Sequence, residues 1–529
     1  MSENASPAGE RVCAAEVIAA LSLATDLATG LPLEHGLEST LAAMRLAERL
    51  GVDAETEQQT YYACLLFYVG CTADAQVAAD LFDESALFTH FAPAMFGSPR
   101  ESALATLRAL VPLEGAAPAR AVEVARKLPR AVGAYRRHVE AACEVAQMLT
   151  DRLGLPPAVQ GLFAGFTERW DGKGPLGLAR GEEIPLAVRI AHVARDATFQ
   201  RMIAGPEVAA QVVRGRAGHA FDPAVATRLA DDVAEIFAGL AEGSAWDRVL
   251  AAEPTPGLVL EGEGVDRALS AMGDFADLAS PYLAGHSAGV AQVAGAAADR
   301  CGVDPVAVRR AAFVHDLGRV AVPLTIWHKP GPLAPDEWER VRLHAYHSER
   351  VLARSPFLAA LASVATAHHE RLDGSGYHRG TAAGALPLPA RLLAAADAYC
   401  AMTEPRAHRE PRSPDDAAET LGREASAGRL DVTAVGAVLE AAGQPVPRME
   451  RPAGLTEREA QVVGLLARGL QTKQVARALG ISAKTTDRHI QNAYAKVGVS
   501  TRAAAALFAM EHGLAAWGEL PIGGPPGRA

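Results

Sequence analysis

The sequence predicts an all-α protein of several domains, on three observations. First, 529 residues exceed one domain and suggest three or so. Second, apolar residues recur at three- and four-residue spacings, as in "VAQVAGAAADRCGV" (290–303) and "EWERVRLHAYHSERVLARS" (337–355), while alternating β-type runs are few. Third, long Ala/Leu/Arg/Glu stretches and an aromatic content of only 5% favour helix over sheet.

Composition narrows the class. With 49% apolar and 21% charged residues the chain reads as globular and soluble, not disordered. No stretch approaches the ~18 uninterrupted apolar residues of a membrane helix, so no membrane partner is expected. The start, "MSENASPAGERVCAAEV", has no basic segment before an apolar core, which argues against a signal peptide. The six cysteines form no CxxC pair, against both a disulfide framework and a cysteine zinc site. The expected location is the cytoplasm.

Two Pro-rich breaks, "AAEPTPGLVLEGEG" (251–264) and "AGQPVPRMERPAG" (442–454), read as linkers. They divide the chain into domains expected at 1–245, 262–440 and 451–516, and the end, "LPIGGPPGRA", is expected to be disordered. The net charge of −11 is uneven: from residue 451 onward ten basic residues face five acidic ones, leaving the rest at roughly −16. A basic module on an acidic body is a nucleic-acid footprint.

The first two domains repeat one another. "WDGKGPLGLARGEEIPLAVRIAHVARDAT" (170–198) aligns without a gap with "LDGSGYHRGTAAGALPLPARLLAAADAYC" (372–400), sharing the Asp-Gly-x-Gly, a downstream Gly, the Pro-Leu and the Arg. Upstream, His35 to Gly51 matches His286 to Gly302 at equal spacing.

The second copy carries an ordered series of metal-binding side chains: His286, His315-Asp316, His344, His368-His369 and Asp397. An all-imidazole and carboxylate set suits iron, manganese or zinc. Adjacent ligands on one helical turn point about 100° apart and can serve two ions. Seven ligands are too many for one ion with an open position and suit two bridged ions, which activate a shared water and clamp a phosphoryl group.

This series, with "HDLGR", "HHERLDGSGYH" and "AAADAYCAMT", resembles the HD-GYP branch of the HD phosphohydrolase superfamily over roughly residues 262–425. The resemblance implies an all-helical domain that binds two metals, typically iron or manganese, and hydrolyses cyclic di-GMP. It makes His286, His315, Asp316 and Asp397 one metal's ligands, with Asp316 bridging to a second held by His344, His368 and His369. Asp316 and Arg319 would serve catalysis, and Arg319, Gly376, Tyr377 and Arg409 would contact substrate. Three departures stand out. Arg319 replaces the usual Lys and holds phosphate but is a poor proton donor. His378 replaces the Pro of the GYP triplet. Tyr282 stands where members with three metals carry Glu. The ligands are thus retained while the substrate contacts have drifted.

In the first copy the series is lost. Phe166-Thr167 align with His368-His369, Arg195 with Asp397, and Phe67-Tyr68 fall near His315-Asp316; only His35, with His138 as a further candidate, survives. This half reads as a degenerate HD-like domain for packing, dimerisation or ligand sensing, the alternative being an unrelated helical domain.

The tail from 455 to 509 reads as four helices. Thr456 with Glu459 forms a capping box, Ser482 is a natural N-cap, and Gly469, Gly480 and Gly498 mark helix ends. Lys484, Thr485 and Arg488 sit on the first turns of the helix after Ser482, while Ile490, Tyr494 and Val497 can face inward. "LTEREAQVV", "KQVARALGIS", "KTTDRHI" and "KVGVSTRAAA" resemble the LuxR/GerE-type helix-turn-helix domain, implying duplex DNA as partner. Lys484, Thr485 and Arg488 are the leading contact candidates, with Lys473 and Arg502 as phosphate contacts.

The expected protein is a homodimeric transcription regulator. Its middle domain hydrolyses or senses a cyclic dinucleotide or related phosphoester; the alternative is a catalytically inactive nucleotide sensor controlling DNA binding.

Overall fold

A computed structural model describes residues 11–72, 92–111, 117–240 and 242–515. The segment 520–529, expected to be disordered, lies outside the described residues. The described chain is helical apart from one small antiparallel pair, β1 (Arg11–Cys13) with β2 (Val259–Glu261), in which Val12 faces Leu260. It forms two compact units interleaved in sequence. One comprises Met1–Ala284, Leu317–Glu337 and Glu349–Ala359; the other comprises Gly285–Asp316, Trp338–Ser348 and Ala360–Ala529.

The first unit contains α1 (Ala14–Thr29), α2 (His35–Leu50), α3 (Ala54–Leu65), α4 (Ala117–Arg152), α5 (Leu186–Ala204), α6 (Pro206–Arg216), α7 (Pro223–Asp231) and α8 (Glu263–Asp277). α1 is buried from Val17 to Asp26, and α5 is buried from Ile190 to Gln200. Helices buried on every side must be rich in small residues so that neighbours can approach, which accounts for their alanine content.

The chain of the second unit runs through α9 (His286–Arg300), α10 (Pro305–Phe313), the start of α11 (His344–Leu352), α12 (Leu388–Thr403) and α13 (Val432–Ala441). Its core is formed by Val290, Ala294, Leu392, Leu393, Val435 and Val438 among others.

The two copies share more than a pattern of letters. In the first, Gly181 N–H donates to Trp170 O at 2.9 Å; in the second, Ala383 N–H donates to Leu372 O at 2.9 Å, both partners 202 positions on. Lys173 N–H bonds Asp171 Oδ1 and Ser375 N–H bonds Asp373 Oδ1, at 3.1 and 3.0 Å. Arg189 pairs with Asp222 at 2.5 Å, and Arg391 with Asp431 at 3.0 Å. Each aspartate also caps the helix that follows it, Asp222 accepting from Ala224 N–H and Asp431 from Ala434 N–H. One arginine thus ties the same helix to the same helix start in both copies.

The C-terminal helices are α14 (Glu457–Ala467), α15 (Thr472–Ala478), α16 (Ala483–Val497) and α17 (Arg502–Glu511). The capping box at Thr456 and Glu459 and the Ser482 cap form as expected. Gly469, Gly480 and Gly498 take φ of 92°, 65° and 75°, the left-handed region that ends a helix. Ile490 and Tyr494 pack with Val462, Leu466 and Val475, as the sequence suggested. Just past α17, the Gly513 carbonyl accepts from the Arg391 guanidinium, which also donates to Leu386 O and Ala383 O.

The duplicated arginine–aspartate tie gives a stability expectation. Asp222→Ala leaves Arg189 without its partner and α7 without its cap, and should lower unfolding free energy by about 3 kcal/mol, read by denaturant titration.

Candidate metal centre

The seven side chains singled out by the sequence converge. They form two groups whose donor atoms lie within 4.8 Å of one another: Asp316, His344, His368 and His369, and His286, His315 and Asp397. Among the described residues, both such groups lie in the second copy. His286 opens α9, His344 opens α11, and Asp397 sits within α12. The doublets differ from the expectation of ligands inside helices. His315-Asp316 follows the end of α10, and His368-His369 follows a helix that ends at Ala365.

Asp316 divides its two oxygens between the groups. Oδ1 lies 3.2 Å from His344 Nε2 and 3.3 Å from His368 Nε2. Oδ2 lies 3.2 Å from His315 Nε2 and 3.6 Å from His286 Nε2. Asp397 Oδ1 stands 3.3 Å from His286 Nε2 and 3.8 Å from His315 Nε2, and its Oδ2 is 3.9 Å from His369 Nδ1. All except His369 are buried, with His315, His344 and His368 fully enclosed.

The outer nitrogens explain how the rings are aimed. His315 Nδ1, His344 Nδ1 and His368 Nδ1 each meet the carbonyl three residues back: Ala312 O at 2.7 Å, Val341 O at 2.5 Å and Ala365 O at 2.6 Å. Each of those carbonyls belongs to the last turn of a helix, where it has no helical partner. A carbonyl only accepts, so each Nδ1 must carry a proton and each Nε2 is the nitrogen aimed inward, able to offer a lone pair once it is unprotonated. His286 reaches the same state by donating from Nδ1 to Glu404 Oε2 at 2.8 Å. Glu404, held in turn by Arg406 at 3.0 Å, was not singled out by the sequence. Its only signal is its place two helical turns after Asp397.

Four inward imidazole lone pairs and two buried carboxylates fit a pair of divalent transition ions, and cysteine plays no part. The charges are poised accordingly. Burial opposes charge on His315, but Asp316 and then Asp397 overcome it and raise its pKa to about 10. Burial lowers His368 to about 4, and burial together with His368 holds His369 well below the usual imidazole range. Burial works against charge on Asp397, but the imidazoles of His286 and His315 beside it outweigh that and hold it well below the usual carboxylate value.

The substrate candidates fall into place unevenly. The Tyr377 ring stacks on His369, centroids 4.1 Å apart and planes at 24°. Gly376 packs where a Cβ would come within 2.6 Å of Glu370 Cα and 2.8 Å of His369 O, so its glycine is a packing requirement beside the ligands. Arg409 donates to Met402 O at 3.1 Å and to Ala401 O, carbonyls in the last turn of α12. A phosphate contact there would compete with that cap. Arg319 lies over the Trp327 ring, 4.8 Å from its centre. Tyr282 packs edge-on to His328, centroids 5.7 Å apart.

On the C-terminal helices Lys473, Lys484, Thr485 and Arg488 are exposed. Thr485 takes part in the cap, its N–H donating to Ser482 Oγ at 3.0 Å. Arg502 donates to Leu466 O and Leu470 O at 2.7 and 2.9 Å. That internal tie occupies the guanidinium expected to meet phosphate.

Comparison with known proteins follows the same division. The HD domain profile matches residues 271–434, and that of the bacterial regulatory proteins of the luxR family matches residues 453–509. The chain therefore carries an HD domain fused to a LuxR-family helix-turn-helix domain, and its relatives are HD-GYP cyclic nucleotide phosphodiesterases. It is 28% identical over 402 residues to 3′3′-cGAMP-specific phosphodiesterase 3 of Vibrio cholerae, covering 74% of this chain and 87% of that protein. It is 35% identical over 150 residues to a cyclic di-GMP phosphodiesterase of Thermotoga maritima, covering 27% of this chain and 40% of the relative. It is 37% identical over 161 residues to the cyclic di-GMP phosphodiesterase response regulator RpfG of Xanthomonas campestris, covering 29% and 42%. The crystal structure of the cyclic GMP-AMP specific phosphodiesterase V-cGAP3 of V. cholerae superposes with a TM-score of 0.56 at 25% identity, covering 82% of this chain and 98% of that one.

Metal uptake should release protons. At neutral pH His315 is protonated in the metal-free chain, so an ion bound at its Nε2 must displace that proton, and affinity should rise with pH up to about 10. Calorimetry with Mn²⁺ in buffers of different ionisation enthalpy should give at least one proton released per chain. Glu404→Gln, which weakens the orientation of His286, should lower affinity for one ion by about 10–100-fold.

Proposed function

We propose that this chain is a homodimeric cytoplasmic DNA-binding regulator whose second HD copy hydrolyses a 3′,3′-linked cyclic dinucleotide at a two-metal centre. The working division is 1–245 for the degenerate copy, 262–440 for the metal-dependent domain and 451–516 for the DNA-binding domain. The observation that supports the reading best is Asp316, one oxygen turned to each group of ligands.

Iron or manganese bound there would polarise the phosphodiester and supply a hydroxide from bound water. The chain's part would be to hold the ions through His286, His315, Asp316, His344, His368, His369 and Asp397, to exclude solvent around the buried imidazoles, and to offer the Tyr377 ring as a flat wall beside His369. Water adds to phosphorus and the ribose 3′-oxygen leaves with a proton, opening the ring to a linear dinucleotide. The first relative described above matches most of this chain and is named for cyclic GMP-AMP, so that dinucleotide is the first substrate to test, with cyclic di-GMP second.

Manganese- or iron-loaded full-length protein should convert at least one of the two to a linear dinucleotide, followed by chromatography. Asp316→Asn should lower kcat/KM by at least about 100-fold, since it removes the carboxylate shared by both ions. A second reading, a sensor that binds without turnover, is favoured by Arg319, whose guanidinium lies over Trp327 and keeps its protons. Under that reading wild-type turnover is slow, and Arg319→Lys raises it by up to about 100-fold. Brisk wild-type turnover that Arg319→Lys does not improve excludes the sensor.

Duplex DNA is the proposed second partner. Lys484 and Arg488 are exposed on the first turns of α16, where a major groove would meet them. Arg488→Ala should weaken DNA binding by about 1–3 kcal/mol if it reads a base edge, and Lys484→Ala and Arg488→Ala should each reduce the salt dependence seen in fluorescence anisotropy.

A further inference from the structure

In the first copy, the place of the metal ligands is taken by a small polar cavity. Ser22, Asp26, His35, Ser39, Tyr68 and Arg195 line it, with Gly36, Cys64, Leu65 and Phe67. By the repeat, His35 stands for His286 and Arg195 for Asp397, and Tyr68 falls near the place of Asp316. A metal's carboxylates have thus become a phenol and a guanidinium, and the sign of the site is inverted.

The donors in this cavity are not spent on one another. Both ring nitrogens of His35, Ser39 Oγ, Tyr68 Oη and Arg195 Nε are buried with no hydrogen-bond partner. His35, Ser39 and Arg195 are at most 1% exposed. The Arg195 guanidinium lies 4.2 Å from the centre of the Tyr68 ring and 4.9 Å from that of Phe67, and its Nη1 points to Met95 Sδ at 3.2 Å. Among the described residues it forms no ion pair. Its neighbour Asp196 is taken by Arg216 at 2.6 Å. Asp26, the acidic group of the lining, accepts Gly36 N–H at 3.3 Å and feels the charge of Arg195, but burial raises its pKa well above the usual carboxylate value and so disfavours the charged form that would pair with Arg195.

We propose that this cavity binds a small monovalent anion of halide size. A buried cation whose nearby acids are Asp196, already paired with Arg216, and Asp26, whose charged form burial disfavours, is costly, and buried donors without acceptors add to that cost. A guanidinium N–H, two hydroxyls and an imidazole N–H are satisfied together by a ligand that only accepts. A metal cation is excluded by the charge of Arg195 at the centre. The protonation states agree with the geometry. Burial holds Arg195 down at about 9, still charged at neutral pH, while burial and then the charge of Arg195 bring His35 to about 3, so the ring is neutral and donates through one nitrogen. Ser22 and Asp26 come from α1, His35 and Ser39 from α2, Tyr68 follows α3, and Arg195 comes from α5. The anion would therefore pin together α1, α2, the chain after α3, and α5.

The test uses the full-length protein at constant ionic strength, with chloride replacing gluconate. Chloride should raise Tm in a saturable way, as ligand linkage requires. Arg195→Met should remove the chloride dependence. Tyr68→Phe, a milder change, should move half-saturation up by roughly ten-fold, the effect of one charge-assisted hydrogen bond. Crystals grown in bromide should show an anomalous peak within hydrogen-bond reach of Arg195 Nε. Equal Tm in chloride and gluconate, an unchanged chloride response in Tyr68→Phe, or density for water alone in the bromide crystals would each overturn the proposal. If Arg195→Met does not fold, the phenylalanine variant and the bromide crystal decide.

Discussion

The centre depends on one shared carboxylate. Asp316 stands between two groups of imidazoles, each of its oxygens near two Nε2 atoms, and every other ligand is placed relative to it. Without cations the cluster is electrostatically awkward. Asp316 and Asp397 drive protonation of His315 while burial drives His368 and His369 the other way. Neighbouring imidazoles with opposed preferences, three or four ångströms from the same carboxylates, describe a site whose charge balance is completed from outside the chain.

That arrangement is secured by backbone for three of the histidines and by the Glu404 side chain for His286. Three histidines donate from Nδ1 to the carbonyl three residues back, using helix-ending carbonyls that need a donor in any case. One interaction therefore ends a helix and fixes a ring. The same economy recurs in the Arg391 fork, which ties α12 to the start of α13 through Asp431 and also holds the Gly513 carbonyl at the end of the helix-turn-helix domain. Gly513, just past the C-terminal helices, also packs against Leu372 and Ala383, the two ends of the loop that carries Tyr377 against His369.

The helices, the repeat and the convergence of seven candidate ligands were legible in the sequence because each has a short-range signature: spacing, a shared Asp-Gly-x-Gly, an ordered series of histidines. What was not legible depends on direction. Arg409 and Arg502 carry the right charge for phosphate, yet their guanidinium groups turn back to helix-end carbonyls, a choice set by local chain path. Gly376 reads as part of a substrate motif and proves to be required by the backbone of Glu370 and His369. Glu404 is one acidic residue among many until the fold brings it to His286.

The two copies show what a shared scaffold does when its chemistry changes. In both, the arginine–aspartate tie and the loop hydrogen bonds persist, so the helix positions that bring the candidate ligands together in one copy still converge in the other. Where carboxylates remain, the convergence gathers negative charge and imidazole lone pairs. Where Arg195 and Tyr68 stand in their place, it gathers donors. Burial makes neither outcome neutral: in the low dielectric of a closed helical core a group of like-signed donors or acceptors requires a partner of the opposite kind. Loss of a metal site in such a scaffold therefore does not leave a plain hydrophobic core. His35 is what replacement has left in place, and with Ser39 and Arg195 it keeps buried polar atoms without hydrogen-bond partners at that position.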